Sequence, residues 1–578
     1  MDSSSSNMDS DDEEQMLVHD NEGKLRSKKI DPKISRELLA AVVIKHDLPV
    51  SFVEYDGIRA WMKYVNPDDP YISKNTLMSE INKTHSDERQ KIRRFFASMK
   101  SGICLTCDIW TVNPKEKYIC LSGQFVDDNW KLSNKILGFD VLPYPEFDSE
   151  VALRIMGFMG EWGIDKKVFS LTLDECSSAN PTKDFIKKQR GSHGVSLLCE
   201  GEFFDIPCLA HTLDTIAQEG LKSIDLILCK IRETVEIVKS SEFRVNIYDG
   251  VCLDVPTRWD STCLMLSSVI KHRRMFSVLR LHEKEFESSP SEEEWDRAEK
   301  ICEFLELLYE TASCIFGCVH PTSNWYFMQV WKIGVMLVEN LSIEDTVISD
   351  VFRRMKEKFD KYWNQYSTVL ACGAVLDPRI KLSMLDFFYS KIESDPIKCQ
   401  EMITLVKTKL FMIFEHYGNI ATEPRSSQPK PSFVKHSPRQ MQNGGASKDK
   451  RKRIFDEITA YESQVVGKAE NFQLVRYLED PKLKFSNDVA LDVLEYWKNH
   501  AHIYPDLAIM ARAVLAIPIT TSASESIFSV GANVLSKYRG WTLPNTVRAL
   551  VCTRNWLHGY AIDNEESAGN KATLPAKG

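Results

Sequence analysis

The sequence is missing the features that would place it among membrane or secreted proteins. It contains no apolar run of about 18 residues or more, so we expect no transmembrane helix and no membrane partner. Its amino terminus is acidic and lacks a basic start followed by an apolar core, so no secretory signal is expected. The sequence has no internal repeat. These absences favour an intracellular protein.

Cysteine is present but nowhere dense. The 15 cysteines are spread over 578 residues, so the disulfide framework of a short secreted domain is not expected. Cys104 and Cys107 form a lone C-x-x-C within a predicted strand, where residues three apart point to opposite faces. We expect neither redox nor zinc chemistry from that pair.

The charge balance is acidic. A net charge of −9 excludes a protein that is basic throughout, although a local basic surface would still allow nucleic-acid binding. Residues Met1–Glu22 contain eight acidic residues and no lysine or arginine, which predicts a disordered acidic tail over residues 1–30. A chain of 578 residues predicts about two to four domains.

The apolar pattern predicts the order of the secondary-structure elements. A helical region over residues 31–100 precedes three strands, and a turn at Asp127–Asn129 suits a hairpin between the second and the third. A helix, a fourth strand and another helical stretch follow, and then a short strand near Leu197 and a helix from Leu209 to Gly220. The predicted long strands are Gly102–Val112, Lys117–Val126, Lys131–Val141 and Lys167–Asp174, and the helix before the fourth is Ser149–Trp162.

This β-β-β-α-β-α order is that of ribonuclease-H-like domains, in which the first and fourth strands are neighbours. We assign residues 101–263 to the first part of such a domain and residues 264–417 to a helical insertion. Residues 418–470 form a predicted flexible linker, residues 471–560 a further helical region, and residues 561–578 a disordered tail. The predicted fold class is therefore α/β plus all-α.

Two of the predicted strands carry an aspartate two positions after a threonine. Asp108 follows Thr106 by two positions and Asp174 follows Thr172 by two, so in each strand both side chains share one face. Aspartate is disfavoured in strands, and a buried carboxylate is costly unless it is paired or bound to a metal. Because the first and fourth strands are predicted neighbours, the two carboxylates indicate a divalent-cation site.

Six stretches, in this order along the chain, resemble motifs of hAT-superfamily transposases. The fourth of them, L-D-V-P-T-R-W-D-S-T, is similar to plant members of the RICESLEEPER and DAYSLEEPER type. The resemblance covers roughly residues 31–560. The six stretches are Leu105–Thr111, Thr172–Asn180, Cys208–His211, Leu253–Thr262, Tyr504–Ser529 and Arg548–Trp556.

The resemblance implies a ribonuclease-H-like catalytic domain that the helical insertion interrupts and a carboxy-terminal dimerisation region completes. It implies that Asp108, Asp174 and Glu525 are catalytic acids, holding two Mg²⁺ or Mn²⁺ ions that activate a water or a 3′-hydroxyl at a phosphodiester. Trp259, beside Arg258, would stack on a flipped base. DNA and a second copy of the chain are then the expected partners, and no small-molecule substrate is expected.

Each acid also has a purely structural interpretation. Asp108 could be a buried aspartate that accepts backbone hydrogen bonds, and Asp174 could cap the helix that follows it. Ser522 and Glu525 have the spacing of a capping box, in which the glutamate binds back to the amino terminus of its helix. Glu525 receives a catalytic role only from the resemblance.

The other motif residues leave alternatives as well. Cys208 and His211 have no second ligand pair at zinc spacing, so a packed cysteine and a hydrogen-bonded core histidine are favoured, and no zinc is expected. Trp259 could be a core aromatic. Five basic residues within the predicted linker fit a nuclear-import signal or phosphate contacts, or else a solvated patch. These are Lys448, Lys450, Arg451, Lys452 and Arg453.

Two departures from the family pattern bear on function. Family members usually begin with a BED zinc finger, but no cysteine precedes Cys104, so no such finger lies within these residues; whether one is encoded upstream stays open. Glu175 also adds a negative charge beside Asp174. We expect a domesticated, transposase-derived nuclear protein that binds DNA and dimerises. The alternatives are an active transposase that cleaves and joins DNA, and an interaction scaffold that does not touch DNA.

Overall fold

The structure is a computed structural model, and the chain divides in it into two compact units. One unit comprises Met1–Arg94 with Ile527–Gly578, and the other comprises Phe95–Ser526. The described residues are 17–19, 25–27, 31–65, 71–113, 116–143, 148–173, 179–192, 197–240, 250–256, 258–317, 322–422, 472–485, 491–521 and 544–559.

The first unit begins with a short ribbon and continues with helices. Strands β1 (Leu17–His19) and β2 (Leu25–Ser27) pair antiparallel, within the stretch for which the sequence predicts disorder. Helix α1 (Pro32–Lys45) begins at Asp31, whose carboxylate accepts a hydrogen bond of 2.8 Å from the Lys33 amide. Helices α2 (Asp56–Val65) and α3 (Lys74–Ser98) follow, and the last turn of α3 belongs to the second unit.

The apolar residues of α1 and α2 are divided between two faces. The sequence pattern predicts one stripe on α1 that includes Leu38, Val42 and Val43. In the structure Val43 is buried, whereas Leu38 is 63% exposed and Val42 is 43% exposed. On α2, Met62 is buried, but Trp61 is 58% exposed. These helices therefore carry more large apolar side chains than the unit buries.

The second unit contains a five-stranded sheet whose topology confirms the predicted one. The strand order is β5-β4-β3-β6-β7. Strands β3, β4 and β5 form an antiparallel meander, while β6 runs parallel to β3 and β7 runs parallel to β6. The first and fourth long strands are thus neighbours. The bounds are β3 Ile103–Asn113, β4 Glu116–Val126, β5 Leu132–Leu142, β6 Val168–Leu173 and β7 Asp205–Pro207, with helices α4 Asp148–Trp162 and α5 Ala179–Ser192 between them.

The hairpin predicted between the second and third strands is confirmed. The carboxylate of Asp127 accepts hydrogen bonds of 2.9 Å from the amides of Asn129 and Lys131, which closes the turn. The short strand predicted near Leu197 is wrong. Residues Leu198–Gly201 form a 3₁₀ turn, and the strand that pairs with β6 begins only at Asp205.

The helices from residue 209 to residue 422, which include the predicted insertion, pack around the longest of them. This helix, α12 (Thr346–Val375), has 15 buried residues and contacts helices on several sides. Gly220 of α6 allows one close approach, because a Cβ at that position would meet the methyl group of Met355. The bounds are α6 Leu209–Ser223, α7 Asp225–Lys239, α8 Trp259–Ile270, α9 Arg273–His282, α10 Glu292–Gly317, α11 Ser323–Glu339, α12 Thr346–Val375, α13 Leu385–Ser390 and α14 Pro396–Thr422.

The carboxy-terminal helices are divided between the two units. Helices α15 (Phe472–Glu479), α16 (Val493–His500) and α17 (Pro505–Leu515) belong to the second unit. Helix α18 (Pro544–His558) belongs to the first, where it packs against α1. Among the described residues, no helix combines the length and apolar character that crossing a membrane requires.

Candidate functional site

One face of the sheet is buried yet lined by small polar side chains. The side chains at alternate positions of a strand share a face, so Thr106 and Asp108 point the same way on β3. The register places Ser122 of β4 and Thr172 of β6 on either side of Thr106. All four of these residues are less than about a tenth exposed. We call this surface the polar face.

Asp108 lies in the middle of β3, opposite Cys120 of β4, and is 4% exposed. The pairing between β3 and β6 extends as far as Cys107 and Leu173. The next residue in each strand's sequence is one of the two predicted acids, Asp108 and Asp174. Asp174 itself lies outside the described residues. The structure thus confirms the strand pairing on which the predicted site depends.

The chain returns to the polar face after several hundred residues. Residues Ala513–Thr521, at the end of α17 and beyond it, form what we call the returning segment. Its backbone carbonyls accept hydrogen bonds from the sheet, so the contacts hold whichever side chains the segment carries. The bonds run from the Cys104 thiol to Ala513 (3.8 Å), from the Gln124 amide to Ala516 (3.0 Å) and from the Thr172 hydroxyl to Pro518 (3.1 Å).

The Cys208–His211 motif receives the far end of the returning segment. The Leu209 amide donates a hydrogen bond of 2.6 Å to the carbonyl of Ile519. The buried Cys208 sulfur lies 3.7 Å from the hydroxyl oxygens of Thr520 and Thr521. His211, in the first turn of α6, is half-buried and is not a core residue. Cys208 therefore contacts the segment through packing and weak sulfur hydrogen bonds.

The third predicted acid cannot be located. Described residues of this segment end at Thr521, so Glu525 lies outside them, as do Lys448, Lys450, Arg451, Lys452 and Arg453. Within the described ranges, no three or more histidine, cysteine, aspartate or glutamate side chains form a group suited to a metal ion. The described part of the chain therefore provides one carboxylate of the predicted three.

Arg258 and Trp259 lie at the start of α8, and neither side chain is buried as a core residue would be. Arg258 is 66% exposed, and its guanidinium pairs with Asp260 at 2.7 Å. Trp259 is half-buried and packs against the main hydrophobic core. The indole is thus held by packing on part of its surface, while the neighbouring cation faces solvent.

A buried ion pair fixes the loop that leads to these two residues. Asp254 has a fully buried side chain, and both its oxygens accept hydrogen bonds of 2.9 Å from the Arg232 guanidinium. The Thr262 hydroxyl donates a further bond of 2.7 Å to Asp254. Burial alone would raise the pKa of Asp254, but the bonds from Arg232 and Thr262 and the arginine charge lower it overall.

Sequence reasoning missed this pair and the role of the sheet side chains that donate hydrogen bonds to the returning segment. Asp254 lies inside the Leu253–Thr262 motif, so its position pointed to a role, whereas Arg232 is distant in sequence and belongs to no motif. Gln124 carries no signal either, because a polar residue on a sheet face is ordinarily a solvent-facing one.

Four family models match the chain. They describe a ZBED1 RNase-like domain (residues 106–203), a ZBED1 RNase-like helical domain (206–304), an hAT-like transposase RNase-H fold (324–417) and an hAT family C-terminal dimerisation region (473–557). The first match covers most of the sheet, and the second and third cover helices of the insertion. The chain therefore carries hAT transposase-derived domains.

Whole-chain relatives agree with these matches. The chain is 28% identical to zinc finger BED domain-containing protein RICESLEEPER 1 of Oryza sativa subsp. japonica, over 91% of this chain and 75% of that protein. It is 27% identical to DAYSLEEPER of Arabidopsis thaliana, over 94% and 76% respectively. It is also 27% identical to a putative AC transposase of Zea mays, over 92% and 66%. The chain is thus homologous to the RICESLEEPER and DAYSLEEPER proteins.

Proposed function

We propose that the chain is a transposase-derived nuclear protein that binds DNA and associates with itself. The observation that carries this proposal is the returning segment, Ala513–Thr521, which belongs to the matched dimerisation region and is hydrogen-bonded to the polar face beside Asp108. The element named for self-association is therefore part of the same packed body as the candidate nucleic-acid site. The names of the relatives, which include zinc finger BED domains and a transposase, support DNA as the partner.

We assign nuclear import and DNA contact to basic side chains in two parts of the chain. Arg258 offers an exposed guanidinium beside the partly exposed Trp259. The second is the run Lys448–Arg453, whose five cations are typical of a nuclear-import signal or of a phosphate-binding segment. Phosphate contacts make DNA affinity fall with salt, in proportion to the number of phosphates neutralised.

The test measures binding of a labelled duplex by the full chain at about 50 and about 200 mM salt. We expect binding that weakens steeply with salt, and that weakens further when the five cations of Lys448–Arg453 are changed to alanine. A control changes exposed cations of α9, Arg274 and Arg280, and should leave binding within about twofold. A wild-type chain that binds no duplex at either salt concentration would favour the scaffold interpretation.

Metal-dependent cleavage of DNA strands is the second candidate. It is favoured by the burial of Asp108 in β3, one residue beyond the last described β3–β6 pair. Asp108, Asp174 and Glu525 would hold Mg²⁺ or Mn²⁺, for which carboxylate oxygens are suitable ligands. The ions would supply Lewis-acid activation of the attacking oxygen. Trp259 would stack on a base displaced from the duplex.

A nicking assay with Mg²⁺ or Mn²⁺ on duplex DNA tests the second candidate. Asp108→Asn keeps the shape of the side chain and removes its charge, so we expect it to abolish wild-type nicking. Asp128→Asn is the matched control, because Asp128 is 78% exposed in the β4–β5 turn and should not affect the reaction. If wild type and Asp108→Asn are equally inactive, the enzyme candidate is wrong and the DNA-binding proposal stands.

A further inference from the structure

The chain runs straight and exposed for five residues after helix α15. Residues 481–485 contain no helix, turn or bend, and all of them are exposed, with Leu483 43% and Phe485 56% exposed. Their sequence is P-K-L-K-F, in which lysine and apolar side chains alternate. Successive side chains of an extended chain point to opposite faces, so the two lysines share one face and Leu483 and Phe485 share the other. We call residues 481–485 the edge segment.

The edge segment is bonded to the second unit along one side only. The Leu483 amide donates a hydrogen bond of 2.9 Å to the carbonyl of Pro378. In an extended chain the main-chain groups of neighbouring residues point to opposite sides, so those of Lys482 and Lys484 point away from that contact. Within the described ranges, neither lysine forms a main-chain hydrogen bond. The outer side of the segment therefore has the properties of an unpaired strand edge.

A buried lysine fixes the chain immediately before the edge segment. Lys381 is 3% exposed, and its ammonium donates hydrogen bonds of 2.6 Å to the carbonyls of Tyr477 and Asp480. The backbone of Lys381 has a φ of 50° and a ψ of −173°, a conformation that a residue other than glycine keeps only where its surroundings impose it. The contacts of the lysine ammonium are such surroundings, so the start of the segment has a defined position.

Arg379 holds the other end of the edge segment. Its guanidinium lies over the ring of Phe485, 5.4 Å from the ring centre. The same guanidinium pairs with the buried carboxylate of Asp377 at 2.6 Å. The segment is therefore ordered before a partner arrives. Binding to a preorganised surface is tighter, because less conformational freedom is lost on association.

The two lysines of the edge segment have no carboxylate partner in the part of the chain that the structure describes. The Lys482 ammonium contacts the sulfur of Met384 instead, at 3.0 Å. Across a pair of strands, opposite charges stabilise the pair and like charges destabilise it. Two copies of this segment paired edge to edge would place lysine opposite lysine, which is a common protection against self-pairing. The charges therefore favour an acidic partner and oppose a second copy.

We propose that the edge segment is a docking site for an extended acidic segment of a partner protein, which adds to it as a strand. Acidic side chains of the partner lie opposite Lys482 and Lys484, and its apolar side chains contact Leu483 and Phe485 on the other face. Main-chain hydrogen bonds supply affinity, and the alternating side chains supply specificity. The inference goes beyond the proposed function and depends neither on DNA binding nor on self-association.

A single-stranded nucleic acid is the competing ligand. Lysine side chains bind phosphates, and the Phe485 ring is of the kind on which bases stack. Such a strand would leave Leu483 and the outward main-chain groups of the lysines without a partner. A peptide strand uses all of these groups, so the structure favours the peptide.

The test titrates the full chain into a fluorescein-labelled peptide of about six residues in which aspartate and leucine alternate, and measures anisotropy. We expect Lys482→Ala with Lys484→Ala to weaken binding about tenfold, because two charge pairs are lost. The matched control, Lys271→Ala with Lys284→Ala, removes two exposed lysines of the same unit and should bind like wild type. A peptide in which lysine and leucine alternate should not bind.

Two N-methylated forms of the acidic peptide test the main-chain pairing. Alternate amides of a strand face the same edge, so methyl groups on one alternate set prevent pairing while those on the other set point away. We expect one set to abolish binding and the other to leave it within about twofold. Equal binding of the two methylated peptides overturns strand addition. This measurement uses the wild-type chain, so it does not depend on the folding of a variant.

The remaining outcomes contradict the proposal in different ways. A wild type that does not bind the acidic peptide overturns it, as does a lysine variant that binds like wild type. If the lysine variant loses binding of a labelled oligothymidine strand and keeps the peptide, the surface is a nucleic-acid site. If the variant differs from wild type in mass by light scattering, the segment is a contact between copies. Duplex binding by the wild type is measured separately and is not altered by any of these results.

Discussion

Asp254 shows how one buried side chain can position a motif that is itself exposed. Arg258 is mostly exposed and Trp259 is half-buried, and the loop before them is constrained by a buried side chain of its own. Asp254 supplies that constraint through two bonds to Arg232 and one to Thr262. Any function of the Arg258–Trp259 pair that needs a defined geometry therefore depends on the buried Asp254 as well as on the pair itself.

Removing the Asp254 carboxylate should destabilise the second unit. Asp254→Ala leaves the Arg232 charge partly buried without its partner, so we expect a loss of about 3 kcal/mol in the free energy of unfolding. Urea unfolding followed by circular dichroism measures it. Asp260→Ala removes the exposed partner of Arg258 and should cost less than about 1 kcal/mol. Equal losses in the two variants would contradict a positioning role for Asp254.

Asp254 also makes a prediction about acid stability. Its pKa is lowered in the folded chain, so the carboxylate stabilises the fold at pH values above its ordinary pKa of 3.8. That stabilisation is lost as the pH falls through the lowered value. Unfolding measured between about pH 5 and about pH 2 should therefore show a smaller acid dependence in Asp254→Ala than in wild type.

His85 gives the first unit an acid sensitivity of the same sign, at a higher pH. Burial, and then the charges of Arg89 and Arg548, lower the pKa of His85 from 6.5 to about 4. The unfolded chain therefore takes up a proton before the folded chain does, and stability falls as the pH drops from 6.5 towards 4. His85→Phe keeps a ring against Trp556 and removes the titration. We expect this variant to lose less stability between pH 7 and about pH 5 than wild type.

At the scale of elements, the crossing of α11 with α12 connects the insertion to the returning segment. Gly373 of α12 lies so close to Ser323 of α11 that a Cβ there would meet the Ser323 hydroxyl at 2.0 Å and its backbone carbonyl carbon at 3.1 Å. The same hydroxyl donates a bond of 2.8 Å to the carbonyl of Val514. A larger side chain at Gly373 would displace Ser323 and so disturb its hydrogen bond to Val514 of the returning segment.

Gly373→Ala should therefore destabilise the protein although alanine favours helices. Backbone as well as side-chain atoms would have to move, so we expect a loss of about 1 to 3 kcal/mol in the free energy of unfolding. Gly157→Ala in α4 is the matched control, because a Cβ there meets nothing within 4 Å. That variant should gain up to about 1 kcal/mol from helix propensity. Equal thermal shifts in the two variants would contradict the close crossing.

The sequence predicts elements better than it predicts which of their faces are covered. Period and turn chemistry give the three-stranded meander and the Asp127 turn, because both depend on residues close in sequence. The exposure of Leu38 and Val42 could not be predicted in this way, since an apolar stripe has the same pattern whether it meets a core or a partner. The short strand β7 was misplaced because pairing with β6, not local propensity, decides where it forms.

For the predicted site too, features set by the order of nearby elements could be predicted, and contacts between residues far apart in sequence could not. The pairing of β3 with β6 follows from element order, so it could be predicted that the strand carrying Asp108 lies beside the strand that ends at Leu173. The path of the returning segment could not, because the residues it joins, such as Cys104 and Ala513, are 409 positions apart. Only the family resemblance linked the two regions.

At the scale of the whole molecule, the second unit is assembled from two distant parts of the chain. Residues of α17 and the returning segment pack with the sheet and the insertion, while the chain between α14 and α15 joins the parts covalently. Cutting that connection should therefore leave the unit intact. A specific protease site inserted after Gly444 provides the cut.

After cleavage, the two pieces should elute together from a sizing column with unchanged circular dichroism. The buried contacts of α17, whose Leu507 and Met510 are completely buried, hold the pieces together. The same sample run in about 6 M urea is the control, and there the pieces should separate. Separation in native buffer would contradict the packing of the carboxy-terminal piece against the sheet.

The returning segment also has a consequence for how the protein is made. A ribosome adds about 5 to 20 residues per second, so the 409 residues between Cys104 and its bonding partner take about 20 to 80 s to synthesise. Throughout that interval the sheet has been translated while the segment that covers its polar face has not. Completion of the second unit is therefore the last event of its biosynthesis, and chaperones that bind nascent chains have a long window in which to act.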